Sequence, residues 1–417
     1  MVKCSDRLKK FLKVMSVFEL AQAEKEARRP RRTISRALNS PKDRRGCLLN
    51  IDDLADYLFT RIFRVNKETF HYILNLISPL LTKSEVHSKC RGLISPKIML
   101  LATLRYLAGG LPDDICLTFN IGIGSFWGEK GVFWLTLYAL DSIPDFDIGL
   151  PLGDAVAMKR LADEYAAIVP DTEEEFWGCV MAIDGWVCET KKPTMKETSN
   201  IRSYRNRKGI WGFTVLAGCD AKGKFLMFSC NGSGSANDIL AWRWSSMKQN
   251  IISPMNGTLP SKLPPQYFFI GDEAFVCENQ LLVPWPGRGI GSNKDSFNYH
   301  LSARRQVIER AFGMLTRRWG IFHRPLQCQL WKWTLVASVA AKLHNVCLDR
   351  NVPNVRRYDK NVVCGDVWNV YLNDSNREEG DRSNAHAGKR RADITAALHN
   401  QRILRPSHAM HNSRAMS

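Results

Sequence analysis

The 417-residue sequence has no run of eighteen apolar residues, so no segment reads as an ordinary membrane-spanning helix. Its opening stretch, "MVKCSDRLKKFLKVM", lacks an apolar core long enough for a secretory signal. The twelve cysteines are scattered and form no CxxC pair. That pattern argues against a disulfide framework and predicts reduced thiols in the nucleus or cytosol. "HNVC", His344 to Cys347, is a lone HxxC and falls short of a zinc ligand set; it reads as a plain helical segment. No internal repeat is visible. Acidic residues are also in short supply: 41 Asp and Glu stand against 59 Lys and Arg, a net charge of +18. An excess of this size favours a polyanion, most simply nucleic acid, because neutralised phosphates release counterions. A basic tail on a neutral enzyme would give the same sum, but these cations are spread over the amino-terminal arm, the middle and the tail.

What remains is an ordinary globular composition, 45% apolar, long enough for two or three domains. Residues 1–50 form a basic polar arm in which "ARRPRRT" reads as a nuclear import signal, a DNA-contacting arm or a solvated linker. Residues 51–145 carry helical periodicity. Asn66 caps a helix with Phe70, Ile73, Leu74 and Ile77 on one face, and "SPKIMLLATLRYLAGG" runs from a Ser-Pro start to a Gly-Gly stop. "PDDICLTF", a break at "NIGIG" and a second helix over Ser125–Leu140 have the layout of a helix-turn-helix. That second helix has only Lys130 as a cation, so a packing hairpin is the competing reading. Residues 146–174 are a linker with a helix.

Over 175–350 the period changes. "FWGCVMAIDGWVCET", "KGIWGFTVLAGC" and "GKFLMFSC" read as strands, the last two joined by a hairpin at "DAKG". A helix follows, capped by Asn237 or Asp238, then a strand at "YFFI" and two long helices. This order predicts an α/β domain, a mixed sheet flanked by helices and preceded by an all-α, helix-turn-helix-like domain. Residues 351–417 read as a flexible basic tail.

The strand at "YFFIGDEAF" poses the chemical question, because its most core-like residues run directly into Asp272 and Glu273. A buried unpaired carboxylate is costly. Asp184 follows "VMAI" in the same way. Glu309 lies in "HLSARRQVIERAFGMLTRRWGIF", on the flank of a helical stripe formed by Val307, Ile308, Ala311, Phe312, Leu315 and Trp319. Three carboxylates meeting without a cation would repel one another. With two divalent ions about 3.5–4 Å apart they become hard oxygen ligands for phosphodiester chemistry. Each also has an ordinary reading: a hairpin turn at Asp184-Gly185, a helix cap at Asp272, an ion pair between Glu309 and Arg305. Glu273, at period two, faces away from Asp272 and is not counted as a ligand.

In order, "AIDGW", "SYRNRKGIWGFTVLAGCDAKGKF", "GSGSANDILAW", "GDEAF", "FNYHLSARRQVIERAFGMLTRRW" and "LHNVC" resemble the PIF/Harbinger transposases and the Harbinger transposase-derived nucleases. These are DDE superfamily endonucleases with an RNase H-like core. The resemblance is strong over about 175–350 and looser over 60–145. It implies that Asp184, Asp272 and Glu309 are the catalytic, metal-binding triad. It further implies DNA cleavage with two Mg²⁺ or Mn²⁺ ions, the joining of freed 3′ ends to target DNA, and a Myb-like protein partner for DNA recognition and nuclear entry. One departure is Asn237, where the family usually has His before the Asp; Asn still caps a helix.

For DNA contacts, "IRSYRNRKG" supplies Arg202, Arg205, Arg207 and Lys208 beside Tyr204, with a solvated strand edge as the plainer reading. Arg304, Arg305, Arg317 and Arg318 add charge around Glu309, with Arg305 and Arg318 the candidates for DNA. Asp238 is a supporting residue read as a helix cap, and Asp220 belongs to the hairpin. The expectation is a nuclear, DNA-cutting homo-oligomer without membrane attachment. The rival readings are a domesticated DNA-binding adaptor that keeps the fold without cutting, and a hydrolytic nuclease without strand transfer.

Overall fold

The structure is a computed structural model describing residues 51, 53–81, 87–88, 92–287, 289–354 and 388–406. The basic arm at 1–50 lies outside the described residues. The chain divides into two units, Met1–Asp147 with Leu315–Val355, and Ile148–Met314 with Arg356–Ser417. The division differs from a simple succession of domains along the chain. Residues 315–355, expected to close the α/β domain, belong with the helical unit instead.

In the helical unit, α1 (Asp56–Phe63), α2 (Lys67–Leu81), α3 (Pro96–Leu107), α4 (Pro112–Thr118), α5 (Ile123–Trp127) and α6 (Val132–Asp141) precede the excursion into the second unit. The Ser95 hydroxyl caps α3 by accepting the Ile98 N–H, and Asn66 accepts the Thr69 N–H at the start of α2, as their positions predicted. The predicted helix over Ser125–Leu140 is instead two helices. Gly128 and Gly131 turn the chain so tightly that a Cβ on Gly131 would lie 2.5 Å from the Phe126 carbonyl oxygen. The second piece, α6, buries Val132, Phe133, Trp134, Leu135, Leu137, Ala139 and Leu140. It is the core of its unit and has no free face to lay in a DNA groove.

The second unit opens with α7 (Ala155–Ala166), capped by Asp154. Its sheet contains β1 (Cys179–Glu189), β2 (Gly212–Cys219), β3 (Phe225–Ser233), β4 (Phe268–Ile270) and β5 (Leu281–Leu282). The spatial order is β3-β2-β1-β4-β5. The first three strands pair antiparallel, while β4 and β5 run parallel to β1. This is the mixed, helix-flanked sheet expected of the RNase H-like class. The β2–β3 hairpin turns at Asp220, whose Oδ1 accepts the Lys222 and Lys224 N–H groups. Between β3 and β4 comes α8 (Asp238–Trp244), and after β5 comes α9 (Ser292–Arg318). The helical unit then resumes with α10 (Leu330–Asp349).

Two side chains tie the start of the sheet to its helices. The Tyr165 hydroxyl of α7 accepts the Ala182 N–H at 2.8 Å and donates to the Cys219 carbonyl at 2.6 Å. It therefore closes the fork at the end of the β1–β2 pairing, where Ala182 faces Cys219. On α9 the predicted apolar stripe is buried, and Phe312 packs on Trp186 of β1 and Phe225 of β3 at 5.8 and 5.9 Å between ring centroids.

The expectation of a flexible tail fails over 388–406. Helix α11 (Lys389–Asn400) docks on the second unit, with Arg391 lying 3.9 Å over the Trp285 ring and Thr395 accepting the Trp285 Nε1–H at 2.9 Å. A buried cation-aromatic contact with a hydrogen bond to the same indole explains why so polar a segment is held. Among the described residues no helix is long and apolar enough to cross a membrane.

Candidate active site

The site is set by the register of two parallel strands. Ala182 of β1 pairs with Ile270 of β4, so Asp184 and Asp272, each two residues further along, are level on neighbouring strands. Strands in such a pair lie about 4.8 Å apart. Side chains two residues on share a face, so Asp184 points with Ala182 and Trp186. Asp184 does not end its strand, as its sequence neighbours implied. β1 continues to Glu189 and Asp184 pairs with Ala217, which removes the hairpin-turn reading. What ends at this level is β4, and beyond Gly271 the Asp272 Oδ1 accepts the Ala274 N–H at 3.0 Å. Glu273 is exposed.

Glu309 arrives from α9. The Trp186–Phe312 contact sets that helix against the sheet, and Arg305, one turn before Glu309, joins the elements. Its Nη1 lies 3.4 Å from Asp184 Oδ2 and its Nη2 lies 2.9 Å from Glu309 Oε1. The ordinary reading of Glu309, a pair with Arg305, is thus correct as far as it goes, but the pair faces Asp184 rather than open solvent. The Arg305 side chain is only 16% exposed. It is turned inward, so the expectation that it reaches out to DNA does not describe this conformation.

A fourth carboxylate belongs to the cluster. Asp238 was read as a helix cap, but Asn237 takes that role by accepting the Leu240 N–H at 3.0 Å. Asp238, the first residue of α8, instead crowds β1. A Cβ on Gly185 would lie 2.0 Å from Asp238 Oδ1. The legible signal was the glycine beside Asp184, which leaves room for another element.

Burial, then the charge of Asp272, pushes the Asp184 carboxyl well above the usual range, with Arg305 pulling the other way. Asp272 is likewise raised by burial and drawn back by Arg305. Asp238 is pushed up to about 6 by burial and by Asp272, with Arg207 opposing. The carboxyls are therefore close enough to oppose one another's ionisation, which a cation would relieve.

The basic loop between β1 and β2 lies beside them. Arg202, Arg205, Arg207 and Lys208 are all exposed. Arg205 donates to the Gly209 carbonyl and, like Lys192, lies over the Trp211 ring. Two other arginines expected near Glu309 are elsewhere. Arg304 is fully buried against Phe176 and donates to the Thr172 hydroxyl at 2.8 Å. Arg318, a DNA candidate by sequence, is buried in the helical unit, where it donates to the carbonyls of Arg64 and Val352 and to Asn354. A guanidinium spent on three internal acceptors has no donor face to offer a phosphate.

Hard carboxylate oxygens with raised proton affinity are the donor set divalent cations select, so the residues fit such ions by chemistry. Among the described residues, however, no three carboxylate, imidazole or thiol groups close on one point as they stand. Arg305 lies between Asp184 and Glu309. His344 and Cys347 are buried along α10, and no zinc set forms around them among the described residues.

The chain thus places two aspartates level on neighbouring strands of a mixed sheet, with a glutamate linked to one of them from the adjoining helix. Residues 183–345, which include all three carboxylates, match the family described as DDE superfamily endonuclease, whose members generally use divalent metals. The chain is also 24% identical over 307 residues to the Mus musculus protein named "Putative nuclease HARBI1", covering 72% of this chain and 80% of that one. The Bos taurus and Homo sapiens proteins of the same name are each 22% identical, with the same coverage. These homologies bear out the Harbinger resemblance and support a nuclease. No solved structure matches the chain.

Proposed function

We propose that this chain is a divalent-metal-dependent DNA endonuclease of the Harbinger transposase type, with Asp184, Asp272 and Glu309 as its metal-binding carboxylates. The observation that carries this reading is the β1–β4 register that levels Asp184 with Asp272, together with the Arg305 link from Asp184 to Glu309. When bound, two Mg²⁺ or Mn²⁺ ions would activate water or a 3′-hydroxyl and neutralise charge on the phosphate. The chain's own residues exclude solvent and bind the substrate. The exposed cations of the β1–β2 loop take backbone phosphates, with Arg202, Arg207 and Lys208 leading and Arg205 steadied on Trp211. Cys179, Cys188 and Cys219 of the sheet are buried, and no protein nucleophile is required.

The same reading extends to joining 3′ ends to target DNA. Two ends need two sites, hence a homo-oligomer. Base recognition is assigned to a Myb-like partner, which the burial of α6 supports, and the place of action to the nucleus. The test is cleavage of DNA bearing the element's terminal repeats in Mg²⁺. Asp272→Asn should abolish cutting while leaving the fold intact; undiminished cutting by that variant would overturn the assignment.

A further inference from the structure

Arg305 makes two ion pairs to carboxylates carried by different elements, one on β1 and one its own helical neighbour. Its guanidinium is not the bidentate partner of either acid. Each Nη serves a different carboxylate, so the group bridges them, and all three side chains are less than a third exposed. Its charge also reaches Asp272. No other cation pairs with Asp184 or Glu309 among the ion pairs of the described residues.

We propose that Arg305 is a built-in counter-ion to Asp184 and Glu309 that holds the cation position between them, so that a divalent ion loads only by displacing it. This inference rests on the metal-dependent reading above and adds a competitor to it. The physical reason is that one set of oxygens cannot serve a guanidinium and a dication at once, and like charges at this distance oppose each other strongly in a half-buried setting. Displacement frees a planar donor fork beside the carboxylates, suited to a phosphate oxygen pair. Cation loading and phosphate capture are thereby linked. The alternative is that Arg305 acts as a fixed strut that orients Asp184 and Glu309 for the metal. The two roles predict opposite signs when the charge is removed.

The experiment is a Mn²⁺ titration of the full chain, followed by the paramagnetic resonance of free Mn²⁺, for the wild type, Arg305→Gln, Arg305→Lys and Asp272→Asn. The expected result is binding about ten- to a hundredfold tighter in Arg305→Gln, near wild-type affinity in Arg305→Lys, and marked weakening in Asp272→Asn. Melting in a chelator supplies a second measurement. Arg305→Gln should melt lower than wild type because its carboxylates have lost their counter-ion, and added Mn²⁺ should raise it by more. Unchanged or weaker Mn²⁺ binding in Arg305→Gln, with Asp272→Asn still impaired, would overturn the counter-ion and leave the nuclease reading standing. Binding that no variant alters would overturn both.

Discussion

Asp238 and Gly185 meet more closely than any side chain at position 185 would permit, since a Cβ there would stand 2.0 Å from Asp238 Oδ1. The glycine after Asp184 thus admits α8 to the carboxylate cluster. Gly185→Ala must turn the short, crowded Asp238 side chain aside. The expected cost is about 1–3 kcal/mol of stability, measured by chemical denaturation. The double variant Gly185→Ala/Asp238→Ala should recover most of it, because the clash has lost one partner. Equal losses in the single and double variants would show that the strain lies elsewhere.

Asp238 also carries a pH signature. Its carboxyl is raised from 3.8 to about 6, so the folded state binds that proton more tightly than the unfolded chain. Below about pH 4 both states are protonated and nothing is lost. Stability then drains away as pH rises through the unfolded value and stops falling once the folded value near 6 is passed. Asp238→Asn, measured in a chelator, should therefore match wild type near pH 4 and exceed it by about 1–3 kcal/mol at pH 8. Divalent ions should narrow that gap in the wild type. A difference constant with pH would contradict the assignment.

Much of this site could be read from sequence, and the limits have physical causes. Asp184, Asp272 and Glu309 stood out because apolar strands and an apolar helical stripe ran into acids. What the sequence does not contain is register: that Ala182 faces Ile270 depends on pairing across more than eighty intervening residues. Periodicity identifies the face a helical residue occupies but not what lies opposite it. Adjacent Arg304 and Arg305 look alike in sequence, yet one is fixed to carbonyls and Phe176 while the other bridges carboxylates. The split of the predicted helix at Gly128 and Gly131 was written in "GEKG" but outweighed by the apolar run around it.

Tyr165 is a small test of how the sheet holds the strand that carries Asp184. Its hydroxyl bonds both Ala182 and Cys219 inside the core, two residues before Asp184. Tyr165→Phe keeps the ring and leaves one N–H and one carbonyl without that partner. A loss of about 1–3 kcal/mol is expected, with faster hydrogen exchange at the Ala182 amide. Unaltered exchange there would show that the fork is closed by other means.

Arg207 and Arg318 separate charge proposed to meet DNA from charge that builds the protein. Arg318 is buried on internal acceptors in the helical unit, whereas Arg207 is exposed on the loop beside Asp238. Arg207→Ala should weaken binding to duplex DNA and reduce the salt slope by about 1, as expected when one phosphate contact is lost. Its melting temperature should barely move. Arg318→Ala should do the reverse, costing about 2–4 kcal/mol because buried carbonyls lose a charged donor. The folded fraction of that variant should bind DNA with the wild-type salt slope. If Arg318→Ala lowered the slope while keeping full stability, the buried arginine would have to reach DNA after all, and its placement among the carbonyls of Arg64 and Val352 would not be the conformation that binds.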